Sequence, residues 1–246
     1  MTTPDFHVII PARFDSSRLP GKLLMQLKGL SVLERVYRQA LLARPKSITI
    51  ATDHPDIFSK ASGWGATVCM TSTTHQTGSD RIAEVVERIG FGADEIIVNV
   101  QGDEPFISPL LIQQVAHALS LSHASMATLC WPLKTLAEYH NSHVVKVVRN
   151  CHHDALYFSR SPMPAFRDGE VELSLVYRHI GLYAYSADFL TQYVKWPVCP
   201  LESFEALEQL RILWHGYSIR VEEACVEPGQ DINTLEDFKR AESLFV

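Results

Sequence analysis

The sequence predicts an α/β fold with a mostly parallel sheet flanked by helices. Short apolar runs rich in β-branched residues recur along the first half of the chain, at residues 7–10 (HVII), 47–52 (SITIAT), 66–70 (ATVCM) and 95–100 (EIIVNV). These runs are apolar on both faces, which is typical of strands that helices cover on each side. An amphipathic helical pattern separates each run from the next, so the chain has the pattern of a series of βαβ units.

The helical patterns begin at residues that suit helix starts. Ser31 and Glu34 have the spacing of a capping box before VLERVYRQALLAR, and Pro55 suits the first turn of the next helix. Ser79 is predicted to cap DRIAEVVERI, and Ser108 opens the helix that contains LLIQQVAHAL. Each helix then returns the chain to the edge of the sheet where the next strand begins.

The middle of the chain has a different pattern. Around residues 125–199, strand-like runs such as SMATLCW, VVKVV and VYRHIGLYAY lie close together among prolines. We predict an inserted antiparallel element there, inside a single domain of residues 1–246, which covers a sheet edge or forms a dimer interface. The end of the chain predicts one helix over residues 202–216, a strand in SIRVEEA and a last helix opened by Thr234.

Composition excludes several classes of protein. The chain has 246 residues, a formal net charge of -6, 46% hydrophobic and 20% charged residues, which is ordinary for a globular protein and argues against a polynucleotide partner. The sequence lacks a signal-peptide pattern and any run near the ~20 apolar residues of a membrane span, so we expect a cytoplasmic protein without membrane insertion. Five scattered cysteines without a CxxC pair indicate neither a disulfide framework nor a thiolate zinc site.

The loop after the first strand, PARFDSSRLPGK at residues 11–22, is rich in positive charge. It is not a Walker A loop, which needs glycine at Ser16 and Ser or Thr at Leu23, and no GxGxxG fingerprint follows the strand. Its cations Arg13, Arg18 and Lys22 suit a polyanion such as a triphosphate, because ligands collect at the carboxyl ends of such strands. The alternative is a solvated basic loop.

A second loop, NVQGDEP at residues 99–105, follows the fourth predicted strand. In the common strand order 3-2-1-4, this loop faces the basic loop, and Asp103 lies beside its cations. A carboxylate next to a triphosphate suits Mg²⁺, although Asp103 and Glu104 also fit an ordinary turn. Asp231 is a second candidate carboxylate, but no sequence pattern by itself brings it to Asp103.

A series of segments, in order over nearly the whole chain, resembles the 3-deoxy-manno-octulosonate (KDO) cytidylyltransferase family, also called CMP-KDO synthetases. These are PARFDSSRLPGK, ATDHPDI, HQTGSDRIAEVV, VNVQGDEP, VKVV, ALYFSRSPMP, YRHIGLYAY, PLESFEALEQLRILW and DINTLEDF. The resemblance implies a Rossmann-like fold, a homodimer, and Mg²⁺-dependent transfer of CMP from CTP to KDO for lipopolysaccharide biosynthesis. In this reaction the hydroxyl on the anomeric carbon attacks the α-phosphorus and pyrophosphate leaves. We assign no general base.

The resemblance also implies roles for nucleotide-site residues. It puts Arg13 and Lys22 on the CTP phosphates as catalytic residues, and Asp103 and Asp231 as the catalytic metal carboxylates, with Asp103 also next to the nucleotide. The remaining residues that it implies for nucleotide binding are at the end of the first strand and in the polar run that helps to recognise cytosine, namely Pro11, Ala12, Thr71, Ser72 and Gly78. Some family members have arginine at the position of Ser72.

For the acidic sugar, the resemblance indicates Gln101, Arg160, His179, Glu202 and Glu205, and the strand pattern adds Tyr183 as part of a wall for a polar sugar. Strand alternation places His179 with Tyr183 on one face. The alternative to sugar binding is that His179 is a core histidine bonded to a tyrosine. Arg160 suits a sugar carboxylate, or is a surface arginine. Glu202 and Glu205 share a helical stripe with Gln209 that is otherwise a solvated face.

Two other functions fit the sequence less well. One is a cytidylyltransferase for another acidic sugar, such as a sialic acid or an amino-substituted KDO. The other is a noncatalytic nucleotide-binding module, against which the pair Asp103 and Asp231 argues, because nucleotide binding alone does not require two metal carboxylates.

Overall fold

The computed structural model describes residues 4–14 and 18–244, with a mixed sheet at its centre and helices on both faces. The strands are β1 (Phe6–Ala12), β2 (Gln26–Leu27), β3 (Leu30–Ser31), β4 (Ser47–Thr52), β5 (Thr67–Met70), β6 (Ile96–Asn99), β7 (Met126–Pro132), β8 (Lys146–Arg149), β9 (Ala155–Ser159), β10 (Tyr177–Ser186) and β11 (Ile219–Glu223). The α-helices are α1 (Val32–Leu42), α2 (Pro55–Gly63), α3 (Gly78–Ile89), α4 (Pro109–Ser120), α5 (Leu136–His140), α6 (Ala187–Tyr193), α7 (Pro200–Glu205), α8 (Gln209–Trp214) and α9 (Leu235–Leu244).

The strand order of the main sheet is β11-β7-β10-β6-β1-β4-β5. Strands β1, β4, β5 and β6 are parallel and correspond to the four apolar runs, so the predicted order 3-2-1-4 is confirmed. Strand β1 is central and has β6 and β4 as neighbours. The loops that follow β1 and β6 therefore leave the sheet side by side, which is the topological switch point of such folds.

The strand-rich region around 125–199 is antiparallel, as predicted, but most of it belongs to the main sheet. Strand β10 runs antiparallel to both β6 and β7, and β7 pairs in parallel with β11. The β8–β9 pair extends the sheet from the beginning of β10. Apolar residues of β7 and β10, such as Leu129 and Leu182, pack into the same core as β1, which explains why these strands are integral to the sheet.

Two apolar clusters cover the two faces of the sheet. Side chains alternate along β1, so that Val8 and Ile10 pack into one cluster and Ile9 into the other. Helices α1, α2, α4 and α9 contribute to the first cluster, and α3, α6 and α8 contribute to the second. None of the helices in the described residues is long and apolar enough to cross a bilayer.

Two local predictions are wrong. The N-cap of α3 is Thr77, which forms a capping box with Asp80, whereas Ser79 lies inside the first turn. The single helix predicted over 202–216 is broken at Ala206, which has a left-handed backbone with φ 50°. The break has a physical cause, because Arg160 donates hydrogen bonds to the carbonyl oxygens of Glu205 and Ala206 that a continuous helix would use internally.

Gly229 is required by a close backbone approach. A Cβ at this position would lie 2.6 Å from both the Cβ and the carbonyl oxygen of Phe106. We therefore expect Gly229→Ala to destabilise the protein by about 1–3 kcal/mol in urea unfolding, the usual cost of overpacking. Gly63→Ala is the matched control, because a Cβ at that position would have nothing within 4 Å and its φ is ordinary. Equal unfolding midpoints for the two variants would contradict the account.

Candidate active site

A cleft of about 1120 Å³ opens where the loops after β1, β5 and β6 meet the start of β10 and the break between α7 and α8. The predicted site residues that line it are Gly78, Gln101, Asp103, Arg160, His179, Tyr183 and Asp231. Arg18 of the basic loop also lines it. The predicted site residues outside this lining are Pro11, Ala12, Arg13, Lys22, Thr71, Ser72, Glu202 and Glu205. The stretch 15–17 of the basic loop lies outside the described residues.

The floor of the cleft depends on a close contact between the ends of β1 and β6. Pro11 and Ala12 end β1 and are buried. A Cβ on Gly102 would lie 3.0 Å from the carbonyl oxygen of Pro11, so glycine allows the two loops to approach. A Cβ on Gly78 would lie 3.6 Å from the Pro11 ring. The predicted backbone positions for a nucleotide thus lie next to Gly78, which lines the cleft.

Lys22 joins three loops beneath the cleft. It begins a 3-10 turn after Gly21, whose φ is +68°, and only 8% of its surface is exposed. Its Nζ donates to Asp103 Oδ2 at 2.6 Å and to the carbonyl oxygen of Ile232 at 2.7 Å. In this structure the ammonium group therefore neutralises Asp103.

Asp103 and Asp231, which are distant in the sequence, lie at the same end of the cleft. The amide of Ile232 donates to the carbonyl oxygen of Asp103 at 2.9 Å and fixes the segment that carries Asp231. Desolvation, and then the negative charge of Asp103, raise the pKa of Asp231. Burial, followed by the charges of Asp103 and Asp231, raises the pKa of Glu104 to about 8, although Arg178 opposes this shift.

This donor set fits a hard divalent cation. Mutual repulsion of neighbouring carboxylates is relieved by a cation between or beside them, and carboxylate oxygens are the protein ligands that Mg²⁺ prefers. Within residues 4–14 and 18–244, no group of three or more His, Cys, Asp or Glu side chains is arranged to hold a metal ion. The residues thus fit an ion held by one or two carboxylates and completed by phosphate oxygens and water, which is usual for Mg²⁺.

Two guanidinium groups, those of Arg13 and Arg81, lie near each other at the end of β1. Arg13 is half-buried, and its Nη2 is buried without a hydrogen-bond partner among the described residues. Burial and the nearby Arg81 lower the pKa of Arg13, against the opposing charge of Asp53. The fully buried Arg81 donates to Asp53 Oδ2 at 2.6 Å. The charges of Glu208 and Asp80 also oppose the shift in the pKa of Arg13, so carboxylates surround the two guanidinium groups. The unpartnered Nη2 is the atom of Arg13 that an anionic ligand would contact.

Helix α3 holds the polar run predicted to recognise cytosine. Arg81 donates to the hydroxyl of Thr71, which itself donates to the carbonyl oxygen of Thr52 at 3.1 Å. The amide of Ser72 donates to Glu84 Oε2 at 2.9 Å, and His75 Nε2 lies 2.5 Å from the same oxygen. The side chain of Thr71 and the backbone amide of Ser72 therefore contact α3, while the hydroxyl of Ser72 bonds Thr74 at 2.7 Å. Gly78 at the beginning of α3 lines the cleft.

His179 and Tyr183 form an aromatic wall of the cleft. The ring of His179 lies 5.4 Å from that of Tyr183 and packs edge-on against Phe158 at 4.9 Å. Burial lowers the pKa of His179 to about 3, so its imidazole is neutral. Its side-chain partner is Thr128, at 3.0 Å, rather than a tyrosine. Gln101 completes this side and donates to Asn99 Oδ1 at 3.2 Å.

Arg160 is held by backbone carbonyl oxygens at the mouth of the cleft. Its Nε donates to Glu205 O at 2.5 Å, and its Nη1 donates to Ser142 O at 3.0 Å. The carboxylate of Glu205 accepts from Ser159 Oγ at 2.6 Å and from the amide of Arg160 at 2.9 Å. Glu205 therefore fixes Arg160 from outside the cleft lining.

Glu202 is buried against Arg211 and does not line the cleft, where a residue that binds the sugar would have to be. It is 6% exposed, and both its carboxylate oxygens accept from Arg211, at 2.6 Å from Nε and 2.5 Å from Nη2. The pKa of Arg211 is raised, first by this hydrogen bonding. The pair ties α7 to α8 and leaves Glu202 without a place in the lining of the cleft.

Glu208 and Gln209 are cleft residues that our sequence reasoning missed. Both line the cleft, and Glu208 Oε2 and Gln209 Nε2 are buried without a hydrogen-bond partner in the described parts of the chain. Burial raises the pKa of Glu208, although hydrogen bonds from Ser79 and Thr77 oppose the shift. The unbroken helical stripe that we predicted placed Gln209 beside Glu202, and only the break at Ala206 turns it into the cleft.

A mostly parallel sheet whose switch point carries cations and two carboxylates is typical of α/β enzymes that act on nucleotides. Comparison with known proteins specifies the class. Residues 7–222 match a family model described as cytidylyltransferase. The 3-deoxy-manno-octulosonate cytidylyltransferase of Legionella pneumophila (strain Lens) is 60% identical over 242 residues, covering 98% of this chain and 97% of that protein. The protein of the same name from Pasteurella multocida (strain Pm70) is 44% identical over 253 residues, covering 98% of both.

Solved structures agree with these relatives. A CMP:2-keto-3-deoxy-manno-octonic acid synthetase complexed with CTP has a TM-score of 0.90 and 36% identity, with 98% of each chain covered. A nucleotidyl transferase from Methanothermobacter thermautotroptrophicus, at 19% identity and a TM-score of 0.61, shares the fold. The chain belongs to the 3-deoxy-manno-octulosonate cytidylyltransferase family, a group of nucleotidyltransferases.

Proposed function

We propose that the chain transfers CMP from CTP to 3-deoxy-manno-octulosonate, giving CMP-KDO and pyrophosphate for lipopolysaccharide biosynthesis. Identity of 60% over nearly its whole length to a relative with that name carries the proposal. The cleft is consistent with it, because Asp103 and Asp231 lie together close to Lys22, below an aromatic and polar wall formed by His179 and Tyr183.

The protein's contribution is mainly to position the substrates and neutralise charge. The anomeric hydroxyl of the sugar attacks the α-phosphorus in line, and pyrophosphate leaves from the opposite side. Arg13 and Lys22 stabilise negative charge on the phosphates, and the unpartnered Nη2 of Arg13 is available for a phosphate oxygen. Arg160, Gln101 and His179 orient the acidic sugar.

The cofactor in this proposal is Mg²⁺, which Asp103 and Asp231 would hold. When bound, Mg²⁺ supplies Lewis-acid polarisation of a phosphoryl oxygen and increases the acidity of a coordinated hydroxyl. An anomeric hydroxyl is already more acidic than an ordinary alcohol, so no side chain is assigned as a general base.

A substrate panel tests the proposed function. We expect pyrophosphate release in the presence of Mg²⁺ for CTP with KDO, and not for UTP, ATP or dTTP or without a sugar. Release with CTP and only a sialic acid or an amino-substituted KDO would replace the sugar in the proposal. Binding of CTP in calorimetry without any pyrophosphate release would instead favour a noncatalytic nucleotide-binding module.

We also propose that the chain forms a homodimer. Leu156 on β9, Val198 before α7 and Phe204 on α7 expose 59%, 60% and 85% of their surfaces, and Glu205 connects α7 to β9 through Ser159. Large exposed apolar side chains are typical of protein interfaces. We expect a dimer mass in light scattering and a shift towards monomer for Phe204→Glu. The cytoplasmic location stays a prediction.

Removal of the Lys22 ammonium group should strengthen metal binding in the absence of nucleotide. Lys22 Nζ lies 2.6 Å from Asp103 Oδ2, so it competes with a cation for this carboxylate. We expect Lys22→Met to lower the dissociation constant for Mn²⁺, measured by electron paramagnetic resonance, by about tenfold, or ~1.4 kcal/mol. Lys46→Met, which removes a lysine paired with Asp5 on the opposite edge of the sheet, should leave it unchanged. Unchanged or weaker Mn²⁺ binding by Lys22→Met would refute this competition.

A further inference from the structure

Thr128 lies at an irregular point of the sheet, directly behind the aromatic wall of the cleft. It is fully buried in β7, opposite the place where the register of β10 shifts between Ile180 and Tyr183. Its Oγ1 is 2.9 Å from the carbonyl oxygen of Ile180 and 2.8 Å from that of Leu182. The same oxygen is 3.0 Å from His179 Nε2. One hydroxyl group therefore contacts three polar atoms.

The number of available protons determines how these contacts are made. A hydroxyl group has one proton and two lone pairs, and a carbonyl oxygen only accepts. The Thr128 proton is therefore used by a carbonyl oxygen of β10, and the contact with His179 needs a proton from the imidazole. If Nε2 carried no proton, three acceptors would compete for one donor in a buried position, which is costly. The contact with Thr128 therefore requires a proton on Nε2 of His179.

The other ring nitrogen of His179 is left as an acceptor. Burial lowers the pKa of this histidine to about 3, so the ring carries one proton, on Nε2, and Nδ1 has a free lone pair. Nδ1 makes no hydrogen bond within the described residues, and the side chain lines the cleft beside Tyr183. The Phe158 ring packs edge-on against this imidazole at 4.9 Å.

We propose that Thr128 is a positioning residue that holds His179 as the neutral Nε2–H tautomer, so that Nδ1 accepts a hydrogen bond from a hydroxyl group of the sugar in the cleft. The tautomer follows from Thr128 and its neighbours alone, whereas the sugar contact rests on the proposed function. Thr128 acts through His179 and does not itself line the cleft.

The first test is a nitrogen NMR spectrum of the ligand-free protein. Long-range ¹H–¹⁵N correlations of the imidazole, assigned by their absence in His179→Gln, are expected to show a protonated Nε2 and an unprotonated Nδ1. They should not change between pH 5.5 and pH 8, because that range lies above the pKa of about 3. An Nδ1–H tautomer, or titration of His179 in this range, would overturn the proposal. This result does not depend on which substrate the enzyme uses.

The second test separates positioning from general stability. Thr128→Val removes the hydroxyl group and retains the shape, whereas Thr128→Ser retains the hydroxyl group. We expect Thr128→Val to raise the KM for KDO by about tenfold, the value of one hydrogen bond, with the KM for CTP unchanged, and Thr128→Ser to resemble the wild type. Thr49→Val is the control, a buried strand threonine outside the cleft lining.

The outcomes distinguish a failure of the positioning role of Thr128 from a failure of the proposed function. An unchanged KM for KDO in Thr128→Val, or equal losses for both substrates, would overturn the positioning role. If Thr128→Val does not fold, Thr128→Ala, which also lacks the hydroxyl group, replaces it with the same expected rise in the KM for KDO. An Nδ1–H tautomer in the wild type would still refute the role. A wild-type enzyme that ignores KDO while showing the Nε2–H tautomer would refute the proposed function and leave the assignment of the tautomer intact.

Discussion

Asp103→Asn is expected to reduce pyrophosphate release at least about a thousandfold at low Mg²⁺, because a Lewis-acid metal contributes several kcal/mol to the transition state and each 1.36 kcal/mol is tenfold in rate. The substitution removes the charge that Lys22 neutralises at 2.6 Å and that Mg²⁺ would need. It keeps the size of the side chain. Steady-state kinetics over a range of Mg²⁺ concentrations would measure the loss.

Asp94→Asn is the matched control for this experiment. Asp94 is exposed and precedes β6, whereas Asp103 follows β6, so the two carboxylates lie at opposite edges of the same sheet. We expect wild-type kinetics for Asp94→Asn. Near-normal turnover of Asp103→Asn at low Mg²⁺ would show that the metal and charge assignments at this edge are wrong.

Glu202→Gln is expected to lower the free energy of unfolding by about 3–5 kcal/mol, because it leaves a buried guanidinium group without its countercharge. Glu202 and Arg211 expose 8% and 5% of their side chains and form two hydrogen bonds of 2.6 and 2.5 Å. Urea unfolding would measure the loss. Glu227→Gln removes one partner of the exposed pair Lys134–Glu227 and should cost less than about 1 kcal/mol.

The same variant distinguishes two roles for Glu202. The family resemblance implies that this carboxylate binds the sugar, whereas its geometry ties α7 to α8. If Glu202→Gln raised the KM for KDO and left the unfolding midpoint unchanged, Glu202 would be a sugar ligand and the structural role would be refuted.

The first half of the fold was predictable because its signals are local. Each of β1, β4, β5 and β6 is an apolar run of the right length, and their order follows from the general behaviour of βαβ units. Thr234 was correctly predicted to open the last helix, since its hydroxyl accepts from the Asp237 amide at 3.2 Å. The cap of α3 was misassigned because Thr77 and Ser79 both suit an N-cap, and only the observed contact with Asp80 distinguishes them.

The second half depends on contacts between distant residues. Arg160, on the turn after β9, donates hydrogen bonds to the carbonyl oxygens that would have continued α7. No sequence pattern near Ala206 predicts this contact. The same break turns Glu208 and Gln209 into the cleft and directs Glu202 towards Arg211. A stripe calculated for one straight helix therefore assigned these side chains to the wrong surroundings.

The candidate site was predictable to the extent that strand order determines it. Asp103 follows β6, and its position beside the loop after β1 follows from the switch point. Asp231 was indicated only by family resemblance, and the hydrogen bond from the Ile232 amide to Asp103 O is the contact that brings it there. The role of Lys22 in neutralising Asp103 was not predicted. The folded conformation of the loop decides whether the ammonium group of Lys22 lies next to a phosphate or next to a carboxylate.

In the proposed reaction, a sugar hydroxyl bound in the cleft attacks the α-phosphorus of CTP. Phosphorus NMR of a reaction mixture with CTP, KDO and Mg²⁺ tests this reaction, because it identifies which phosphorus remains with the sugar. We expect a phosphodiester signal for the CMP-sugar and an equimolar signal for pyrophosphate, both absent with Asp103→Asn. Appearance of CDP with a sugar phosphate, or of inorganic phosphate alone, would contradict the account.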